Sequence, residues 1–183
     1  NSVNDTLSGV AITQGGSVAA NYNFGERSIR GPLQPDETAT MAFWQNNNGR
    51  ALLLSLNGGP NSTALGNWLA SNFSNLWGAN AGANNLTGKT NTQVPNFYRM
   101  LFDRRSKDLT DLGLGGPIKM DVQVLAVALA VYVTDSDLAG TVAASYGFLV
   151  DVSGTGARTF NVGNNGAAFG LANGTQARIF DLL

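Results

Sequence analysis

The chain has 183 residues, of which 43% are hydrophobic and only 13% charged, and its net charge is −1. It holds no cysteine and no histidine, which excludes a disulfide framework and thiolate or imidazole metal sites. Near-neutral charge without a basic block leaves no electrostatic footprint for nucleic acid or an anionic membrane surface. The usual charged share is about 25%, and here Asn, Gly, Ser and Thr take the place of the missing charge. Lys falls to three residues and Glu to two. That bias belongs to bacterial secreted and cell-surface proteins, so the expected location is extracellular or cell-surface. The start at Asn1 reads as a processed chain or an excerpt from a larger one.

Residues 1–26 read as two strands. "TLSGVAIT" (residues 6–13) carries Leu7 and Ile12 among small residues. "SVAANYNF" (residues 17–24) alternates with period two, placing Val18, Ala20, Tyr22 and Phe24 on one face. "TQGG" between them supplies the hairpin glycines. An isolated hairpin is marginal in water, so this arm needs another sheet to join. Residues 27–40, with two prolines, read as a linker, and residues 41–183 as a mixed module.

Met41 to Trp44 is a short apolar piece, expected as a strand or buried turn that "NNNG" stops. Residues 50–56 form a short helix closed by "NGG". Ser62 or Thr63 caps a second helix running to about Trp77, with Leu65, Trp68, Leu69, Phe73, Leu76 and Trp77 on its apolar face. Thr92 caps a third, with Pro95 in its first turn and Val94, Phe97, Tyr98, Leu101 and Phe102 on one stripe. "DLTDLGLGGP" is a loop. Asp121 caps a fourth helix, residues 122–134, apolar nearly all round and therefore the most buried. That run is too short to cross a bilayer about 30 Å thick. "YGFLVDV" and "ARTFNVG" flank "SGTG" as a hairpin, and Thr175 caps a last helix bearing Ile179, Leu182 and Leu183. The fold class is α+β, a four-helix core with a C-terminal β-hairpin and an N-terminal β-hairpin arm.

Two stretches resemble known families. "VNDTLSGVAIT…NYNFGE" resembles the last two strands of the SdrD B-like repeat, a β-sandwich of bacterial surface adhesins, over residues 1–26. The repeat's calcium-binding acidic loops have no counterpart here. "MAFWQNNNGRALLLSLNGG", "LGNWLA", "LTGKTNTQV", "LAVALAVYVT" and "FNVGNNGAAFGLANGT" are similar to an uncharacterised module that follows such repeats in very large secreted proteins of planctomycetes and related bacteria. That likeness covers residues 39–183. It implies an extracellular, modular setting and supplies no mechanism. "RRSKDLTDLGLGGPIKM" departs from it.

Candidate chemistry is sparse. Acid–base catalysis would fall to carboxylates: Glu26 and Glu37 flank the linker, Asp103, Asp108 and Asp111 sit in and before a loop, and Asp121 has a capping role. No catalytic residue is assigned, and the chain reads as no enzyme. Asp135 and Asp137 in "TDSDLAGT" are weak calcium ligands without the EF-hand spacing. Trp44, Trp68, Trp77, Phe97 and Tyr98 either line a sugar-binding face or form core; Trp44 in "FWQNNNG" is the ligand aromatic to test. The expected function is structural: a subunit of an extracellular filament, stalk or layer, joined to its own copies or to neighbouring surface proteins through Leu7, Ile12, Val18, Tyr22 and Phe24. The alternative is an adhesion or carbohydrate-binding module, with a glycan as partner.

Overall fold

A computed structural model describes residues 30–103 and 120–183. The arm expected over residues 1–26 and the loop between Asp108 and Pro117 lie outside the described residues.

The first apolar piece is a helix, α1 (Met41–Gln45), capped by Thr40, whose hydroxyl accepts from the Phe43 amide. "NNNG" does not stop it but starts the next, α2 (Asn47–Ser55), three residues ahead of the expected Arg50. The Asn46 side-chain oxygen accepts from the Asn48 and Gly49 amides, satisfying donors that a helix start leaves free. A side chain at Gly49 would put its Cβ 2.2 Å from the Phe43 carbonyl oxygen. The two short helices therefore touch backbone to backbone. The expected "NGG" stop is present, with Asn57 (φ 50°) taking left-handed geometry before Gly58. Its side chain donates to the Leu138 carbonyl at 2.7 Å and accepts from the Tyr132 hydroxyl at 2.8 Å.

Helix α3 (Ala64–Asn72) ends five residues before Trp77. The Asn72 side chain donates to the Trp68 carbonyl, a local bond that competes with helix continuation. Leu65, Leu69, Phe73 and Trp77 are nonetheless buried, whereas Leu76 is exposed. Helix α4 (Gln93–Asp103) buries Val94, Tyr98 and Leu101 as its stripe predicts. Its cap is Thr90, not Thr92: Thr90 Oγ1 accepts from the Gln93 amide while Gln93 Oε1 accepts from the Thr90 amide, a reciprocal capping box. Thr92 instead donates its hydroxyl to the Pro60 carbonyl. Helix α5 (Met120–Thr134) is the central element, buried continuously from Ala128 to Thr134. It packs against α1 and α4. A four-residue helix, α6 (Ser136–Ala139), follows.

The C-terminal β-structure is present with a different pairing. β1 (Thr159–Asn161) runs antiparallel to β2 (Gln176–Arg178), Thr159 opposite Arg178. The segment 146–152 forms no strand beside it. "SGTG" fails as a hairpin loop because Asp151 Oδ1 accepts from the Ser153 and Gly154 amides, and a 3-10 turn (Thr155–Ala157) then leads the chain away. Thr175 caps no helix; its hydroxyl bonds Ala172 O, β2 follows, and a 3-10 turn (Ile179–Leu182) closes the chain. Nor are residues 30–40 a free linker. They lie against residues 149–159, and Glu37 is 1% exposed. Residues 30–37 thus pack on the folded body through backbone bonds and ion pairs.

Candidate functional site

The densest chemistry in the described chain is a charged clasp. Arg30 meets Asp151 at 3.1 Å, Arg158 meets Asp151 at 3.4 Å, and Arg158 also holds Glu37. The second Glu37 oxygen accepts from the Gln34 amide at 2.6 Å. Backbone bonds run alongside: Arg30 N to Ala157 O at 2.9 Å, Thr159 N to Gly31 O at 3.2 Å and Leu149 N to Asp36 O at 2.8 Å. Thr155 donates its hydroxyl to the Glu37 carbonyl, and its amide donates to Thr134 Oγ1 at the end of α5. Residues 30–37 are thereby stapled to both the C-terminal third and the core helix. Gly154 makes the close turn possible: at φ 53° a Cβ would sit 2.7 Å from the Asp135 nitrogen.

Glu37 and Asp151 form a carboxylate pair, but around a guanidinium. Burial pushes the Asp151 carboxyl up; the Ser153 and Gly154 amides, with Arg30 and Arg158, outweigh that and hold it below its ordinary value. A general acid at neutral pH needs the opposite displacement. The pair is built to hold an arginine. Sequence reading placed Glu37 beside a linker and passed over Arg30, Asp151, Thr155 and Arg158. The usable signal was scarcity: in a chain this poor in charge, two acids and two arginines that fold together have few other partners.

Of the other acids considered, Glu26, Asp108 and Asp111 lie outside the described residues. Asp103 pairs with Arg99 on the surface of α4, and Asp121 sits in the first turn of α5. Asp135 is buried as the N-cap of α6, its Oδ1 accepting from the Asp137 and Leu138 amides. Asp137 is exposed. Among the described residues no group of three or more acids stands together to hold a metal ion. Of the two weak calcium candidates, Asp135 is a helix cap and Asp137 its exposed neighbour.

Trp44 is 0% exposed and packs edge-on against Phe43 and tilted against Phe148, so no ligand reaches its ring. Helical spacing near α5 has made it core, and its Nε1 has no hydrogen-bond partner. Tyr98 and Trp77 are also buried, while Phe97 and Trp68 are partly buried against the same core. Beside Trp44 a shallow pocket of about 140 Å³ opens between Asp36, Thr38, Ala39, Phe43, Tyr146, Gly147 and Phe148. Asp36 takes left-handed backbone there (φ 64°).

The small sheet has two unlike edges. On the β1 side the incoming chain bonds through Gly31, and Pro32 bridges Thr159 in parallel. On the β2 side nothing pairs among the described residues. The bonds Val162 N to Thr175 O and Ile179 N to Arg158 O set the alternation. The backbone groups of Gln176 and Arg178 therefore point away from β1. Phe160, opposite Ala177, is 55% exposed.

The assembly residues Leu7, Ile12, Val18, Tyr22 and Phe24 lie outside the described residues. Among the described residues no helix is long and apolar enough to cross a membrane. No protein-family model matches the chain, and neither a curated protein nor a solved structure matches it.

Proposed function

We propose that the protein is a structural component of an extracellular filament, stalk or layer, with the N-terminal arm joining one copy to the next and no catalytic role. The observation that carries this reading is the clasp. Five residues separate the arm's alternating residues from Arg30, and from Arg30 to Glu37 the chain is held by ion pairs, backbone bonds and a buried carboxylate. A connector anchored in this way passes load from the arm to the folded body. The low charge and absence of cysteine suit an oxidising, exposed setting. Light scattering and electron microscopy of the full chain at high concentration test it: assemblies are expected, and they dissolve when residues 1–29 are removed. A full chain that stays monomeric, or assemblies indifferent to that deletion, sinks the reading.

A second reading, adhesion to glycans, rests on the pocket. Its lining combines Asp36, Thr38 and Tyr146 with the aromatic residues Phe43 and Phe148. Polar groups that fix orientation over an aromatic surface suit a sugar. Glycan-array binding lost on Tyr146→Ala, with assembly unchanged, is the expected outcome; no saturable binding discards it.

A further inference from the structure

The assembly reading leaves open where the arm lands, and the answer proposed here rests on that reading. We propose that the outer edge of β2 is the acceptor, and that residues 17–24 of a second copy add to it as a further strand. Three features of the sheet converge on this site. Its backbone is only partly satisfied: the amide and carbonyl of Gln176 and the amide of Arg178 face outward with no backbone partner among the described residues, while the Arg178 carbonyl begins the 3-10 turn that follows. Such an edge templates strand addition, in which main-chain bonds bind and alternate side chains select.

Its surface is apolar on one face. Phe160 stands 55% exposed, and Ala177 beside it is small. A strand added beyond β2 can lay a large side chain over Ala177 toward the Phe160 ring. The alternation of Val18, Ala20, Tyr22 and Phe24 supplies such side chains on one face. The opposite face then pairs Asn21 and Asn23 with Gln176 and Arg178, polar against polar. No charged residue in 17–24 opposes the approach.

The third feature sets the partner. The chain enters the sheet on the β1 side, where Gly31 bonds Thr159. The root of the donor and the vacant acceptor are therefore at opposite edges. To reach its own β2 the arm must double back across the strands it has just joined. Reaching the next copy is a forward step, since about 3.3 Å per extended residue gives residues 17–29 a span of roughly 40 Å. Donor and acceptor are different surfaces, so the contact is head-to-tail, and repetition gives a fibre rather than a closed dimer.

The natural chain has no cysteine, which makes disulfide trapping clean. Full chains carrying Asn21→Cys or Asn23→Cys are mixed with full chains carrying Gln176→Cys under mild oxidation. Disulfides need Cα atoms within about 7 Å, so bonding reports adjacency. We expect a mixed covalent dimer from at least one pairing, and a ladder of covalent polymers from a chain carrying both changes. A doubly substituted chain that closes only on itself overturns the inference in favour of docking within one molecule. Absence of any mixed dimer while the full chain still assembles through residues 1–29 overturns the β2 assignment and leaves the assembly reading standing. Loss of the arm's role in assembly removes that reading itself.

Discussion

Between Met41 and Thr134 the chain buries leucines, valines and aromatics on helix faces; between Asp135 and Leu183 it relies on short turns, two three-residue strands and side chains bonded to backbone. Leu52, Leu65, Leu69, Leu125 and Leu129 are all 0% exposed in the first region. In the second, Asp151 accepts from two amides, Thr155 links Thr134 to Glu37, and Asn173 accepts from Gly166. The first region is held by area removed from water, which tolerates small shifts. The second is held by directional bonds, where losing one partner strands the other. If this contrast is right, substitutions in the two regions should differ in kind as well as in size.

Trp44→Ala should have the largest effect, about 3–5 kcal/mol of unfolding free energy, read by denaturant titration. Trp44→Phe should cost much less, because it also removes the buried Nε1 donor that lacks a partner. Equal losses for the two variants would refute the role given to that donor. Next comes Glu37→Gln, which leaves Arg158 with a weakened partner in a site where its side chain is 13% exposed. Removing one member of a buried pair costs about 3 kcal/mol or more. Amide exchange should accelerate over residues 30–37 and 149–159 and stay slow in α5. Uniform acceleration everywhere would erase the distinction between the regions. Asn46→Ala, a cap in the helical region, should cost about 1 kcal/mol, with no local release of residues 30–37.

The smallest effects are pH slopes. The folded Asp151 carboxyl sits below its ordinary 3.8, so its stabilisation is complete above that value and lost as pH falls through the lower folded value. Asp151→Asn should flatten acid unfolding in that window. The Tyr132 hydroxyl is pushed up from 10.0 to about 12, first by burial and also by the Asp135 charge, against an opposing bond to Asn57. The folded state then holds a proton that the unfolded chain releases, and stability falls as pH rises between about 10 and 12. Tyr132→Phe should remove part of that alkaline decline, leaving the part due to buried Tyr98, whose hydroxyl is also raised. An unchanged slope would argue that Tyr132 is wetter than its position implies.

The same contrast explains what could be read from sequence. Helices α2 to α5 were legible because apolar spacing and burial are the same signal. Even so, "NNNG" reads only as a stop, whereas Asn46 both ends α1 and caps the start of α2, because an asparagine serves a helix start as readily as a turn. The C-terminal pairing was not legible. "SGTG" looks like a hairpin loop until Asp151 captures its amides, and that capture depends on the arginines at 30 and 158, far apart in sequence. Glu37 and Arg158 carry no periodicity at all. For Trp44 the sequence left a sugar-binding face and core both open, because apolar Met41 to Phe43 precede it and polar "QNNN" follows; the contact that helps seal it, Phe148, lies more than a hundred residues on.

All three tryptophans, Trp44, Trp68 and Trp77, belong to the helical region, and none lies beyond residue 77. Intrinsic fluorescence is thus a one-sided reporter. Trp44, sealed between Phe43 and Phe148, should emit toward the blue and shift red when the helices come apart or Phe148 leaves it. A thermal scan followed by emission would register that event and pass silently over an earlier opening of the clasp. Two midpoints, one from tryptophan emission and one from calorimetry, would mark the two halves melting as separate cooperative units.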